Sequence, residues 1–160
     1  MALLASAKFQ NFKVSIEKFL FDNLTITEGI PLDLEGMPFE SSIAEWIEER
    51  LLSQGVRDYH RGVTEVHNAQ TTMPIVNLNI FVKKNLAKKS NRHYELRDII
   101  ASYITPNKRI LLYDFESGDF TTSIQTMVIR EIITDMPIQD ELFFQYNYSF
   151  TIEWYQQWEK

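Results

Sequence analysis

Residues 142–154, LFFQYNYSFTIEW, restrict the fold more than any other stretch of this chain. Leu142, Phe144, Tyr146, Tyr148, Phe150, Ile152 and Trp154 recur at every second position, with Gln145, Asn147, Ser149, Thr151 and Glu153 between them. Side chains on a strand alternate between faces, so the spacing predicts a β-strand with one apolar and one wet face. Aromatic and β-branched residues suit such a surface. A helix would scatter these rings around its circumference. So long a strand belongs in the middle of a sheet, and the rest of the chain must cover its apolar face and pair its edges.

Upstream elements follow from the same test of period. Phe9, Phe12, Ile16, Phe19 and Leu20 form a helical stripe within residues 6–23. Ile30, Leu32 and Leu34 alternate, and Pro31 pushes that short strand toward a sheet edge. Residues 41–54 read two ways. Ser42 and Glu45 resemble a capping box ahead of Ile43, Trp46, Ile47 and Leu51, while Trp46 to Leu52 also suits a strand. Residues 56–72 are polar and too long for a turn, which suggests a hairpin or an extended arm. Val76, Leu78, Ile80 and Val82 mark a second clear strand over 74–84. A helix over 91–104, capped by Ser90 or Asn91, presents Leu96, Ile99, Ile100, Tyr103 and Ile104. Strands at 109–115 and 120–135 precede a connection, Met136 to Glu141, into the last strand. Two helices among mainly antiparallel strands predict an α+β fold, a two-layer sandwich with the helices packed on one face of the sheet. The reading is one domain over residues 1–160, with a polar loop or arm at about 56–73.

The chain is acidic, with a formal net charge of −6, so its overall field does not favour coating nucleic acid. It has no cysteine, which removes disulfides, thiol nucleophiles and thiolate metal sites. The start, MALLASAKFQ, lacks the basic leading region and long apolar run of a signal peptide, and no stretch approaches a membrane span.

Motifs for catalysis are missing. Gly29, Gly36, Gly55, Gly62 and Gly118 are scattered, with no phosphate-cradling loop and no Gly-x-Ser-x-Gly elbow. His60, His67 and His93 lack metal-ligand spacing and read as surface residues. Glu48–Glu49 and Asp140–Glu141 are neighbours that point apart on a strand, so they read as solvated charge. No catalytic, cofactor-binding or metal residue is nominated, and the expectation is a non-enzyme without cofactors. Lys83, Lys84, Lys88, Lys89 and Arg92 are the one local excess of charge, either a solvated loop or a patch facing an acidic partner. Without interleaved aromatics this patch does not suit base stacking.

The strand PIVNLNIFVKK, the helix NRHYELRDIIASYI and the final strands through SFTIEWYQQW, taken in order, resemble the tail terminator proteins of long-tailed bacteriophages. The resemblance covers most of the chain as pattern and element order. It tips Trp46 to Leu52 toward strand. It implies a structural virion protein of the tail and neck, assembled in the host cytoplasm. Such a protein forms a hexameric ring that caps the tail tube, ends its polymerisation and offers the head a docking surface. Implied partners are further copies of the chain, the tail tube protein, a head–tail connector and, in a contractile tail, the sheath protein. DNA would pass through the ring without specific binding. Lys83 to Arg92 is then a partner-docking patch, and Arg57, Tyr59, His60 and Arg61 form an interface arm. The alternatives are another connector, tail completion or tube-like phage protein, or a small cytoplasmic binding module.

Overall fold

A computed structural model describes residues 3–40, 42–52, 56–60 and 67–159, of which 56–60, 67–70 and 158–159 are described as backbone alone. A 3-10 turn, Ala5–Ala7, leads into helix α1, Phe9–Leu20, which continues as a π-helical segment, Phe21–Thr27. The strands are β1 (Leu32–Asp33), β2 (Glu45–Leu52), β3 (Val56–His60), β4 (His67–Thr72) and β5 (Ile75–Lys83). Helix α2 (Arg92–Tyr103) is followed by β6 (Arg109–Tyr113), β7 (Ser123–Ile138) and β8 (Phe143–Glu159). The fold is α+β and mostly sheet.

The last strand is central, as its pattern predicts. β8 pairs with β5 and β4 along one edge and with β7 along the other. On the first edge the register is unbroken from Lys83 opposite Phe143 to His67 opposite Glu159. Thr72 faces Trp154 and Ile75 faces Thr151, so Met73 and Pro74 interrupt the strand without shifting it. Pro74 has no N–H, but its carbonyl accepts a hydrogen bond from Ile152 N–H at 3.2 Å. β2 pairs with β5 and β3 with β4, all antiparallel, so β2 and β3 run against β5 and β4. Of the polar stretch 56–72, the described residues form the antiparallel pair β3 and β4, as a hairpin requires, and 61–66 lie outside the described residues. Only β1, on the outer edge of β2, pairs in parallel.

Residues 45–52 form a strand, and the capping-box reading fails for a tertiary reason. Ser42 Oγ donates to Glu40 Oε1 at 2.8 Å, while Trp46 and Ile47 take opposite faces opposite Phe81 and Ile80. Asn91 does occupy the cap position of α2 but makes no side-chain cap bond.

The core lies between the helices and the same-parity residues of the central strands. Phe12, Ile16, Leu20 and Leu24 are buried at helical spacing against Val76, Leu78, Ile80, Phe150 and Ile152. Phe12 stacks on Trp154 with ring centroids 4.4 Å apart, and Trp154 Nε1 donates to the carbonyl of Ser6. Further along the same face, Tyr148 Oη donates to the carbonyl of Ile104 at the end of α2. α1 also packs on β6, and α2 on β5 and β8.

Three expectations for this region need correction. Leu142 lies before β8 and is 72% exposed. The polar face of β8 is not uniformly wet, since Ser149 and Thr151 are buried. Register shifts between Ile129 and Thr134 bend β7 there, and Thr151 Oγ1 accepts the freed Glu131 N–H at 3.0 Å. β7 also runs on through Pro137 to Ile138 rather than stopping at 135. β6 pairs only with the Ser123–Val128 part of β7, so Pro137 sits where β7 is an edge and a missing donor is tolerated.

Candidate functional site

Of the sequence-predicted residues, the basic patch is the one whose side chains are fully placed. It occupies the loop between β5 and α2, beside the turn from β7 to β8. The structure breaks it into three kinds of charge. Arg92 is clamped by Glu45, with nitrogen–oxygen distances of 2.8 to 3.2 Å, and also meets Glu95 at 3.1 Å. Lys89 pairs with Glu95 at 3.0 Å. These contacts raise the Arg92 guanidinium and hold the Glu95 carboxyl below the usual carboxylate range. Two of the five predicted charges are therefore paired with carboxylates, one of these carboxylates lying 47 positions from Arg92 in sequence.

Lys83 and Lys84 instead lie over aromatic rings. Lys83 Nζ is 5.9 Å from the Trp46 ring centroid, and Lys84 Nζ is 5.3 Å from that of Phe144. Lys84 also donates to the carbonyl of Asp140 at 2.5 Å. Lys88 is exposed and has no ion pair or hydrogen bond among the described residues. The outward-facing charge is thus Lys84 and Lys88, set among exposed Leu86, Ile138 and Leu142.

His93 corrects the surface-histidine expectation. It is 93% buried by its 7% exposure, and its ring lies parallel to Phe144, 5.2 Å between centroids and 11° between planes. Its Nδ1 is buried without a partner, and burial lowers the imidazole's affinity for a proton. Phe144 is thereby flanked by His93 and Lys84. Together with Pro137, Ile138 and Phe143 they wall a hollow of about 420 Å³ at the β7–β8 turn. Asp140 shapes that turn, its Oδ1 accepting from Leu142 N–H at 2.9 Å and Phe143 N–H at 3.0 Å. The hollow depends on α2 meeting β8 and has no local signature in the sequence.

In the other carboxylate pair, the solvated-charge expectation fails at Glu49. Glu48 stays on the outer face, where it meets Arg50 and Asn79. Glu49 points into the core and is 0% exposed. Its Oε2 accepts from Glu35 N–H, and its Oε1 has no partner. Burial, with Glu17 and Glu35 nearby, pushes this carboxyl up to about 7, against the Glu35 N–H and Lys13.

Of the arm residues, Arg57, Tyr59 and His60 lie on β3, and Arg61 lies outside the described residues. Among the described residues, the substantial contact of β3 is with β4. Among the described residues no group of three or more metal-ligating side chains converges, and no helix is long and apolar enough to cross a membrane.

A scan of protein-family models and a search of curated proteins give no match. One solved protein that bears only a sequence identifier is similar in fold, with a TM-score of 0.64 and 9% identity. The similarity covers 91% of this chain and 94% of that one, so the two share an overall arrangement from end to end.

Proposed function

We propose that this chain is a structural subunit of the tail-terminator kind, assembling head to tail into a ring that caps a phage tail tube. The ring ends tube polymerisation and gives the head its docking surface. The observation that carries the reading is the arm. β2 and β3 run antiparallel to β5 and β4, and among the described residues the outer strand, β3, is paired with β4 and has no substantial helix contact. A strand left with one neighbour is a ready interface for another subunit. The helices and the 3-10 turn on one side of the sheet form a two-layer body, leaving the arm and the β7–β8 end for contacts with neighbours. Heterologous contacts of this type give a ring where the rotation from one subunit to the next closes.

The proposed partners are further copies of the chain, the tail tube protein and a head–tail connector, with DNA passing through the ring. The test is to add the purified chain to polymerising tail tube protein and image the product. Capped tubes of limited length, ending in a ring, are expected. Tubes that grow unchanged, with no ring on either end, would reject the reading. Replacing Lys83, Lys84, Lys88 and Lys89 by Glu should abolish capping if that end docks on the tube or connector.

A further inference from the structure

We propose that residues 31–36 are a pH-sensitive strap over the outer edge of β2. The far end of the strap, at Glu35, is closed on Leu51 while the Glu49 carboxyl is neutral, and it lets go when that carboxyl ionises.

The strap has two fastenings of different kinds. At the near end, Ile47 N–H donates to the carbonyl of Pro31 at 3.0 Å, and β1 pairs Leu32 and Asp33 with Ile47 and Glu48. Arg50 adds hydrogen bonds to the Asp33 carbonyl at 3.2 Å and to its carboxylate at 3.1 Å. β1 ends at Asp33, and beyond it side chains take over. Glu35 N–H donates to Glu49 Oε2 at 3.1 Å, and Glu35 Oε2 accepts from Leu51 N–H at 3.0 Å. A carboxylate therefore occupies the Leu51 N–H, which an uncovered edge would offer to another strand.

Glu49 makes the far fastening conditional. Its side chain is fully buried, and Oε1 has no hydrogen-bond partner. The charges around it are Lys13 and Glu17 from α1, Glu35 and Asp33 from the strap, and Arg50 and Glu48 from β2 itself. β5 sets only the apolar Leu78 opposite it. Lys13 is already paired with Glu17 at 2.5 Å, and Arg50 is engaged by Asp33 and Glu48. An ionised Glu49 thus sits in the core with one hydrogen bond, and Glu17 and Glu35 repel it. Opening the far end brings water to the carboxylate and separates it from Glu35. The near fastening runs through backbone pairing and the Arg50–Asp33 contact, so it stays closed.

Native-state hydrogen exchange at pH 6 and pH 8, corrected for the base dependence of the chemical step, reads this strap. The Glu49 carboxyl titrates at about 7 in the closed form and at 4.5 once exposed, so protection of the Glu35 and Leu51 amides should fall roughly tenfold between the two pH values. Low urea should leave exchange at these two amides unchanged while speeding it at Ile80, between β2 and β8, because a local opening exposes little surface. Glu49→Gln keeps an acceptor for Glu35 N–H but cannot ionise, and it should abolish the pH effect. Equal protection at both pH values, or the same fall in Glu49→Gln, would overturn the proposal. Exchange at Glu35 and Leu51 that is as sensitive to urea as exchange at Ile80 would also overturn it, since the strap would then open only with the whole fold.

Discussion

Glu35 and Glu49 hold two segments together by exchanging roles. Glu49 Oε2 accepts a hydrogen bond from Glu35 N–H at 3.1 Å, and Glu35 Oε2 accepts one from Leu51 N–H at 3.0 Å. The Glu35 side chain thus extends β1's hold on β2 after their two paired residues end. Lys13 secures the same place from α1, pairing with Glu17 at 2.5 Å and donating to the carbonyl of Glu35 at 3.1 Å. The buried carboxyl of Glu49 is the costly part of this arrangement.

That cost has a pH signature. The Glu49 carboxyl titrates at about 7 in the fold, against 4.5 when unperturbed. The folded state binds the proton more tightly, so this group favours folding fully below pH 4.5. That contribution is lost as pH rises from 4.5 through 7. Glu49→Gln retains an acceptor for Glu35 N–H but cannot ionise. It should raise stability by about 1–2 kcal/mol at pH 8, with no gain at pH 5. Urea unfolding at the two pH values measures this, and equal effects at both would show that Glu49 does not titrate in this window.

Trp154 anchors the end of β8 beneath the amino-terminal segment. It stacks on Phe12, meets Phe9 edge-on at 5.2 Å and donates to Ser6. Trp154→Ala should cost about 3–5 kcal/mol, the range for emptying a buried aromatic site. Trp154→Phe should cost less, since it keeps the stack and loses the hydrogen bond. Chemical denaturation of the three proteins gives the comparison.

The unbroken register between residues 67–83 and 143–159 makes a sharper demand. A single Gly inserted between Met73 and Pro74 leaves every side chain intact but puts β4 and β5 out of phase against β8. One half must then turn its core residues outward or break from the ladder. The insertion should cost more than any exposed substitution in the arm, and hydrogen exchange should show lost protection on one side of Met73. Unaltered protection along all of β8 would mean that the ladder is not continuous in solution.

Much of this fold was legible because β8 and β5 alternate over long runs, and their apolar residues go where that period sends them. Residues 45–52 were ambiguous for a physical reason. Trp46, Ile47 and Leu51 suit a helical stripe, and only pairing with β5 decides for strand. The burial of Glu49 had no local signal, because β1 and α1 cover it from elsewhere in the chain. The basic patch was visible as composition, but its neutralisation depends on Glu45, which tertiary structure brings beside Arg92. His93 becomes part of a hollow only where α2 rests on Phe144.

Self-association of the unmodified chain is the most direct test of the whole account. Native mass should be measured across at least a tenfold range of protein concentration. The account predicts one closed species, six copies by the resemblance to tail terminators, that persists on dilution. A single 18.9 kDa protomer at every concentration would contradict it.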